Sequence, residues 1–164
     1  MNPLAYLNGY PPELIEQART MLASGELGPR LAVRYPDQHE VRSGKALQAY
    51  VKDAKARFMR NAPPLGKVFF DDQLGLTHNA LGLHTTRTQV QGNKLRKRRE
   101  IRIATLFKDA PADFLRMIVV HELAHMKHAD HSADFYKLCT YMEPDYHQLE
   151  FDLRLYLAVR ESDS

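Results

Sequence analysis

The sequence predicts an α+β fold in which a small antiparallel sheet lies beside an apolar helix carrying the motif H-E-x-x-H, with flanking N- and C-terminal helices. Apolar residues recur at helical spacing near both ends, whereas the middle holds β-prone runs around a Gly-Asn turn signal. A chain of 164 residues suffices for one core, so we expect a single domain. It comprises a helical part (1–64), a β-hairpin part (65–108) and a helical part with the histidine motif (109–164).

Two amphipathic helices are predicted in the N-terminal part. The first begins at Pro11-Pro12 and ends near Gly25, because the apolar residues between them recur at helical spacing. Ser43 is a good N-cap for the second, whose apolar stripe runs from Leu47 to Phe58 and stops before a Pro-Pro pair. From Pro29 to Glu40 the pattern predicts no helix or strand, and Tyr35-Pro36 favours extended or turning backbone.

Three runs predict the strands. Residues 67–70 are short and β-prone, which favours a strand. Residues 84–91 and 98–107 flank the turn signal Gly92-Asn93 and are predicted to be the arms of a hairpin. Apolar residues alternate with others along the second arm, although with imperfect contrast. We therefore expect the sheet to be antiparallel.

Residues 92–102 form a strongly basic stretch at the predicted hairpin tip. Its simplest interpretation is a solvated tip, and the alternative is contact with nucleic acid or an acidic substrate. No aromatic residue interleaves with the cations, which disfavours stacking on single-stranded bases. The candidate contact residues are Lys94, Arg96, Lys97, Arg98, Arg99 and Arg102.

The C-terminal part is predicted to hold three helices. Asp109 can cap the first, which is heavily apolar between Phe114 and Leu123. Ser132 or Asp130 can cap a short second helix, and a Pro residue opens the last one.

The composition excludes several classes of protein. No apolar run approaches the length that spans a membrane, and residues 1–25 lack a signal-peptide pattern. The single cysteine, Cys139, precludes an internal disulfide and suits a reducing compartment, so we expect a cytoplasmic protein. The net charge of +3 and the isoelectric point of about 9.0 are only mildly basic.

The motif H-E-x-x-H places two metal-binding side chains on one helix face. Residues four apart on a helix lie on the same side, so His121 and His125 can both bind one ion. Glu122 lies one position round from His121, near enough to polarise a water molecule without being a ligand. Metal ligation requires neutral imidazoles, so binding should weaken at acid pH.

His131 is the candidate third ligand, which would leave a fourth position open for water. If the helix continued, His131 would lie about 9 Å beyond His125 along the axis, so the chain must turn back between them. The spacing matches the metzincin signature H-E-x-x-H-x-x-G-x-x-H, except that His128 replaces the glycine. His128 or Asp130 in left-handed backbone could make the turn. Alternative third ligands are Glu143, Glu150 and His147.

Other polar residues near the motif have weaker interpretations. Asp134 could accept the free N–H of a ligand imidazole, although a surface role is equally plausible. Tyr136, Tyr141 and Tyr146 are chiefly packing candidates, one of which could donate to an oxyanion. Cys139 is interpreted as a small buried residue and not as a nucleophile.

Three segments resemble the YgjP-like metallopeptidase family: I-V-V-H-E-L-A-H (118–125), H-S-x-x-F-Y (131–136) and M-E-P-D-Y (142–146). The likeness extends over most of the chain, and the wider group includes the SprT-like and WLM-type proteases. The resemblance implies a minimal zincin-like domain, with His121, His125 and His131 on one zinc ion per chain and Glu122 as general base. Its hairpin would border a cleft where an extended peptide adds to an exposed strand edge.

The leading hypothesis is therefore a zinc-dependent hydrolase, and specifically a metallopeptidase acting on a peptide or protein substrate. One alternative is a metal-dependent nuclease guided by the basic hairpin. Another is a non-catalytic nucleic-acid-binding module whose zinc is structural. The presence of Glu122 argues against the last hypothesis, because a structural site gains nothing from a general base.

Overall fold

The structure, a computed structural model, describes residues 2–74 and 100–163 and, between them, the backbone of residues 89–91 and 94–96. Its helices and strands confirm the mixed α+β class. Short 3-10 helices at Pro3–Leu7 and Thr105–Lys108 accompany them. In chain order the elements are α1 (Pro12–Ser24), α2 (Leu27–Arg34), α3 (Gly44–Phe58), β1 (Val68–Asp71), β2 (Gln89–Gln91), β3 (Lys94–Arg96), β4 (Ile101–Ala104), α4 (Ala112–Ala124), α5 (Ala133–Met142) and α6 (Tyr146–Ser162).

The two predicted N-terminal helices are confirmed as α1 and α3. Gly25 ends α1 in left-handed backbone with φ of 80°, and the Ser43 hydroxyl accepts a hydrogen bond from the Ala46 amide to begin α3. Helix α2 was not predicted. It has only eight residues, and its buried side chains Leu27 and Leu31 lie on a face that packs against α6.

The prediction of an antiparallel sheet beside α4 was wrong. Strand β4 pairs with β1 in parallel, with Val68 opposite Ile101 and Phe70 opposite Ile103. A parallel pair requires a long connection that returns the chain to the same end of the sheet, and residues 72–100 provide it. The imperfect alternation along β4 reflects burial on both sides, since Ile101, Ile103 and Ala104 are all buried.

A hairpin does occur around the predicted turn, but its second arm lies earlier than predicted. Strands β2 and β3 pair antiparallel, with Gln91 opposite Lys94. The predicted arm 98–107 instead contributes β4 and a 3-10 helix in its described residues. Gly92-Asn93 and residues 84–88 and 97–99, which belong to the predicted hairpin, lie outside the described residues.

Helix α4 lies at the centre of the core. Every residue from Phe114 to Ala124 except Arg116 is buried, and the helix contacts α3, α5, α6 and β4. Asp109 does not cap it, contrary to prediction. Pro111 occupies the N-cap position, and the Asp109 carboxylate pairs instead with Arg42 at 2.6 Å. Within the described part of the chain, no helix is both long enough and apolar enough to cross a membrane.

The left-handed backbone at Gly25 gives a test of the fold. We expect Gly25→Ala to lower the free energy of unfolding by about 1–2 kcal/mol, because a Cβ is unfavourable in left-handed backbone. The space itself is open, because no atom of a residue other than Gly25 and its two neighbours lies within 4 Å of the position that the added methyl group would take. Backbone strain is therefore the only cost of the substitution. Gly44→Ala is the matched control, because its site is equally open and lacks a positive φ. Urea denaturation of the two variants measures the difference.

Candidate metal centre

Three histidines converge at the C-terminal end of α4. The Nε2 atom of His125 lies 3.2 Å from the Nε2 atoms of both His121 and His131. One ligand atom from each of the three residues lies within 4.8 Å of the other two. His121 and His125 are buried, and His131 is half-buried. The structure therefore brings together all three predicted ligands.

The spacing and the hydrogen bonds of these rings fit a metal ion. Nitrogens bound tetrahedrally at 2.0–2.1 Å from one ion lie about 3.3 Å apart, close to the two observed distances. The Nδ1 atom of His125 lies 3.0 Å from the carbonyl oxygen of His128, which can only accept, so Nδ1 carries the ring hydrogen. Neutral His125 consequently presents an Nε2 lone pair to the cluster, as metal ligation requires.

The chain reverses between His125 and His131 by tight turns. Helix α4 ends at Ala124, and the amide of Met126 donates to the Leu123 carbonyl at 3.0 Å. The predicted left-handed residue is not found: among the described residues, positive φ values occur only at glycines. The Ser132 hydroxyl then accepts a hydrogen bond from the Phe135 amide and begins α5, which confirms the predicted cap.

Phe135 supports the histidine cluster from one side. Its ring centroid lies 5.2 Å from that of His121, 4.6 Å from that of His125 and 4.9 Å from that of His131. The side chain is fully buried, so it limits rotation of all three imidazoles. The sequence pattern alone gave Phe135 no role at the site, because helical spacing does not reveal which buried residue borders a site.

Tyr146 contacts the cluster from α6. Its hydroxyl oxygen lies 2.7 Å from Nδ1 of His121, and its side chain is 0% exposed. A group so enclosed does not reach substrate, so the oxyanion role considered for one of three tyrosines does not suit Tyr146. Its contact with His121 joins residues 25 positions apart, which no local sequence pattern could have indicated.

Glu122 lies on α4 directly after His121, with only 3% of its surface exposed. Burial places the carboxylate in a medium where electrostatic interactions are stronger than in water. Its role as general base remains a prediction. Cys139 is also buried, and burial raises the pKa of its thiol to about 12. The thiol is therefore protonated at neutral pH, which agrees with its interpretation as a packing residue.

The alternative third ligands have other partners. Arg116 donates to the Glu143 carboxylate, which also accepts from the Asp145 amide at 3.0 Å. Glu150 lies 3.7 Å from Arg154, and the His147 ring lies 5.3 Å from that of Tyr136. None of the three belongs to the cluster that the described residues form. Asp134 is exposed in the first turn of α5.

The basic stretch is only partly described. Arg102 forms ion pairs with Asp71 at 3.4 Å and Glu100 at 3.2 Å, and its side chain is 17% exposed. It is therefore engaged within the protein. The backbones of Lys94 and Arg96 lie in β3, whereas Lys97, Arg98 and Arg99 lie outside the described residues, so their substrate or nucleic-acid contacts remain predictions.

The sequence of this chain is similar to those of known proteins over most of its length. A model of the YgjP-like metallopeptidase domain matches residues 10–156 of the chain. The UTP pyrophosphatase of Escherichia coli (strain K12) is 54% identical over 158 residues, which cover 96% of this chain and 95% of that protein. No solved structure matches the chain.

Removing one histidine tests the metal centre. We expect the wild-type protein to hold about one zinc ion per chain and His131→Ala to lose it, since two imidazoles bind zinc much more weakly than three. His128→Ala is the matched control. It removes a nearby imidazole but keeps the backbone carbonyl that contacts His125. Elemental analysis at neutral pH gives the metal content, and undiminished zinc in His131→Ala would contradict the assignment.

Proposed function

Because this chain belongs to the YgjP-like metallopeptidase family, we propose that it is a metal-dependent hydrolase with Glu122 as its general base. The observation that carries the proposal is the convergence of three imidazoles, together with the burial of Glu122, which directly follows His121 in α4. His121, His125 and His131 would hold the ion. We propose zinc, because three nitrogen ligands at tetrahedral spacing suit it.

The ion and the glutamate have complementary roles in such a site. A bound divalent ion supplies Lewis acidity, which makes water more acidic and polarises the group under attack. Glu122 accepts a proton from the attacking water and returns it to the leaving group. With Nε2 of His121 and of His125 bound to the ion, each ring would carry its hydrogen on Nδ1. Burial of Glu122 keeps bulk water from competing for its proton.

The substrate that we propose first is a nucleoside triphosphate, namely UTP. The support is the 54% identity to a UTP pyrophosphatase, which extends over almost the whole of both chains. In this reaction the water oxygen bonds to the α-phosphorus, and the bond from that phosphorus to the bridging oxygen breaks. Pyrophosphate leaves and UMP remains, while the proton from water passes through Glu122 to the leaving oxygen or to solvent.

The charge distribution of the sequence suits a polyphosphate. Six cations lie between residues 92 and 102 in a chain whose net charge is +3. Such a basic segment raises the local concentration of an anionic substrate. We propose that the other cations of this segment, and not Arg102, contact the phosphates, since Arg102 already pairs with two carboxylates. Nucleic acid is the alternative anionic partner.

Peptide hydrolysis is the second candidate, and two observations favour it. The matching family model describes a metallopeptidase domain. Among the strands that the structure describes, β4 pairs with β1 alone, and β4 also contacts α4. An extended peptide could add to the other edge of β4 with its carbonyl group towards the histidine cluster. The same ligand set and base would then attack carbon instead of phosphorus.

Replacement of the base tests the mechanism for either substrate. We expect Glu122→Gln to lower kcat by about 100-fold or more, because general-base catalysis contributes about 10²–10⁴-fold. Metal content should stay at the wild-type level, since Glu122 is not a proposed ligand. Steady-state kinetics with elemental analysis of the same preparations measure both quantities. Full activity in a metal-loaded Glu122→Gln protein would exclude the proposed role.

A direct assay separates the substrates. We expect purified protein with added metal to convert UTP to UMP and pyrophosphate, and to lose that activity with a chelator. Casein and single-stranded RNA are tested in parallel, with Glu122→Gln as the control for contaminating enzymes. Cleavage of casein alone would establish the peptidase, and cleavage of RNA alone the nuclease. Salt-dependent RNA binding without any turnover would favour the non-catalytic module.

A further inference from the structure

We propose that Tyr146 is a positioning residue for the metal centre, which holds the His121 imidazole in the one tautomer and orientation that ligation requires. Tyr146 is the first residue of α6, and its side chain is 0% exposed. This inference rests on the proposed metal site. It adds a residue that the ligand motif does not contain.

The contact between Tyr146 and His121 fixes the tautomer of the imidazole. Its Nε2 atom points at the cluster and its Nδ1 atom at the Tyr146 hydroxyl, 2.7 Å away. If Nε2 is to offer a lone pair to a cation, Nδ1 must carry the ring hydrogen. The Tyr146 oxygen must then accept that hydrogen, and the hydroxyl proton must be donated elsewhere.

Packing of α6 keeps the Tyr146 hydroxyl at this position. The Tyr146 side chain is 0% exposed, and its ring lies nearly parallel to the His121 ring, with an interplanar angle of 12°. Helix α6 contacts both α4, which carries His121, and α5. The hydroxyl is therefore held against the Nδ1 atom by the arrangement of the helices.

A positioning role differs from packing in what it does to metal binding. A metal-bound histidine depends on the group that receives its second N–H, and loss of that group lowers metal affinity by about 10- to 100-fold. Residues that served only to stabilise the fold would change the midpoint of unfolding and leave the affinity of the folded protein unchanged. Zinc affinity, measured by competition with a chromophoric chelator, distinguishes the two roles.

Tyr146→Phe is the decisive variant, because it removes only the hydroxyl that His121 contacts. We expect its zinc affinity to fall by about 10- to 100-fold. Tyr35→Phe is the matched control, since Tyr35 is also buried and its hydroxyl donates to the Asp152 carboxylate. That control should lose stability while binding zinc as tightly as the wild type.

The outcomes separate this inference from the proposed function. If the wild-type protein binds no zinc, the metal centre and the positioning role both fail. If the wild type binds zinc and Tyr146→Phe binds it equally tightly, the positioning role is overturned while the metal centre stands. An equal loss of affinity in Tyr35→Phe would also overturn it. Should Tyr146→Phe not fold, the ¹⁵N chemical shifts of the His121 ring in the metal-free wild type decide, and a ring hydrogen on Nε2 contradicts the proposal.

Discussion

The arrangement of this site depends on one constraint, namely that three imidazole nitrogens must point at a common position about 2 Å from each. A histidine side chain turns about two bonds, so neighbouring groups must fix the direction of each ring. The His128 carbonyl does this for His125, and the Tyr146 hydroxyl does it for His121. The Phe135 ring packs beside all three imidazoles. Residues from α4, α5, α6 and the turn before α5 thus meet at one position.

The same constraint explains where α4 ends. A continuous helix would carry His131 away from the other two histidines, because each residue adds 1.5 Å along the axis. The end of α4 at Ala124 and the turns after it bring His131 back. Almost complete burial of α4 stabilises the turn that carries His121. The Ser132 cap gives α5 a defined start immediately after His131.

The matching family is described as a metallopeptidase, whereas the similar protein of Escherichia coli is named a UTP pyrophosphatase. The chemistry proposed for the metal centre is compatible with both substrates. Hydrolysis of a phosphoanhydride and of a peptide each need an activated water and a base that can return a proton. His121, His125, His131 and Glu122 would provide these in either case. The selection between attack on phosphorus and attack on carbon must therefore come from groups other than these four. The candidates that we propose are the cations of segment 92–102 for a polyphosphate and the edge of β4 that faces away from β1 for a peptide.

The sequence by itself determined the features that depend on neighbours a few residues apart. These include the ends of α1 and α3, the Ser132 cap and the helix that carries His121, since capping and helical spacing act locally. Only the tertiary structure decided the parallel pairing of β4, the position of Asp109 outside α4, the end of α4 just before His125 and the backbone conformation by which the chain returns to His131. It alone revealed Tyr146 beside His121, because a contact across 25 residues depends on how α4 and α6 pack and not on any local pattern.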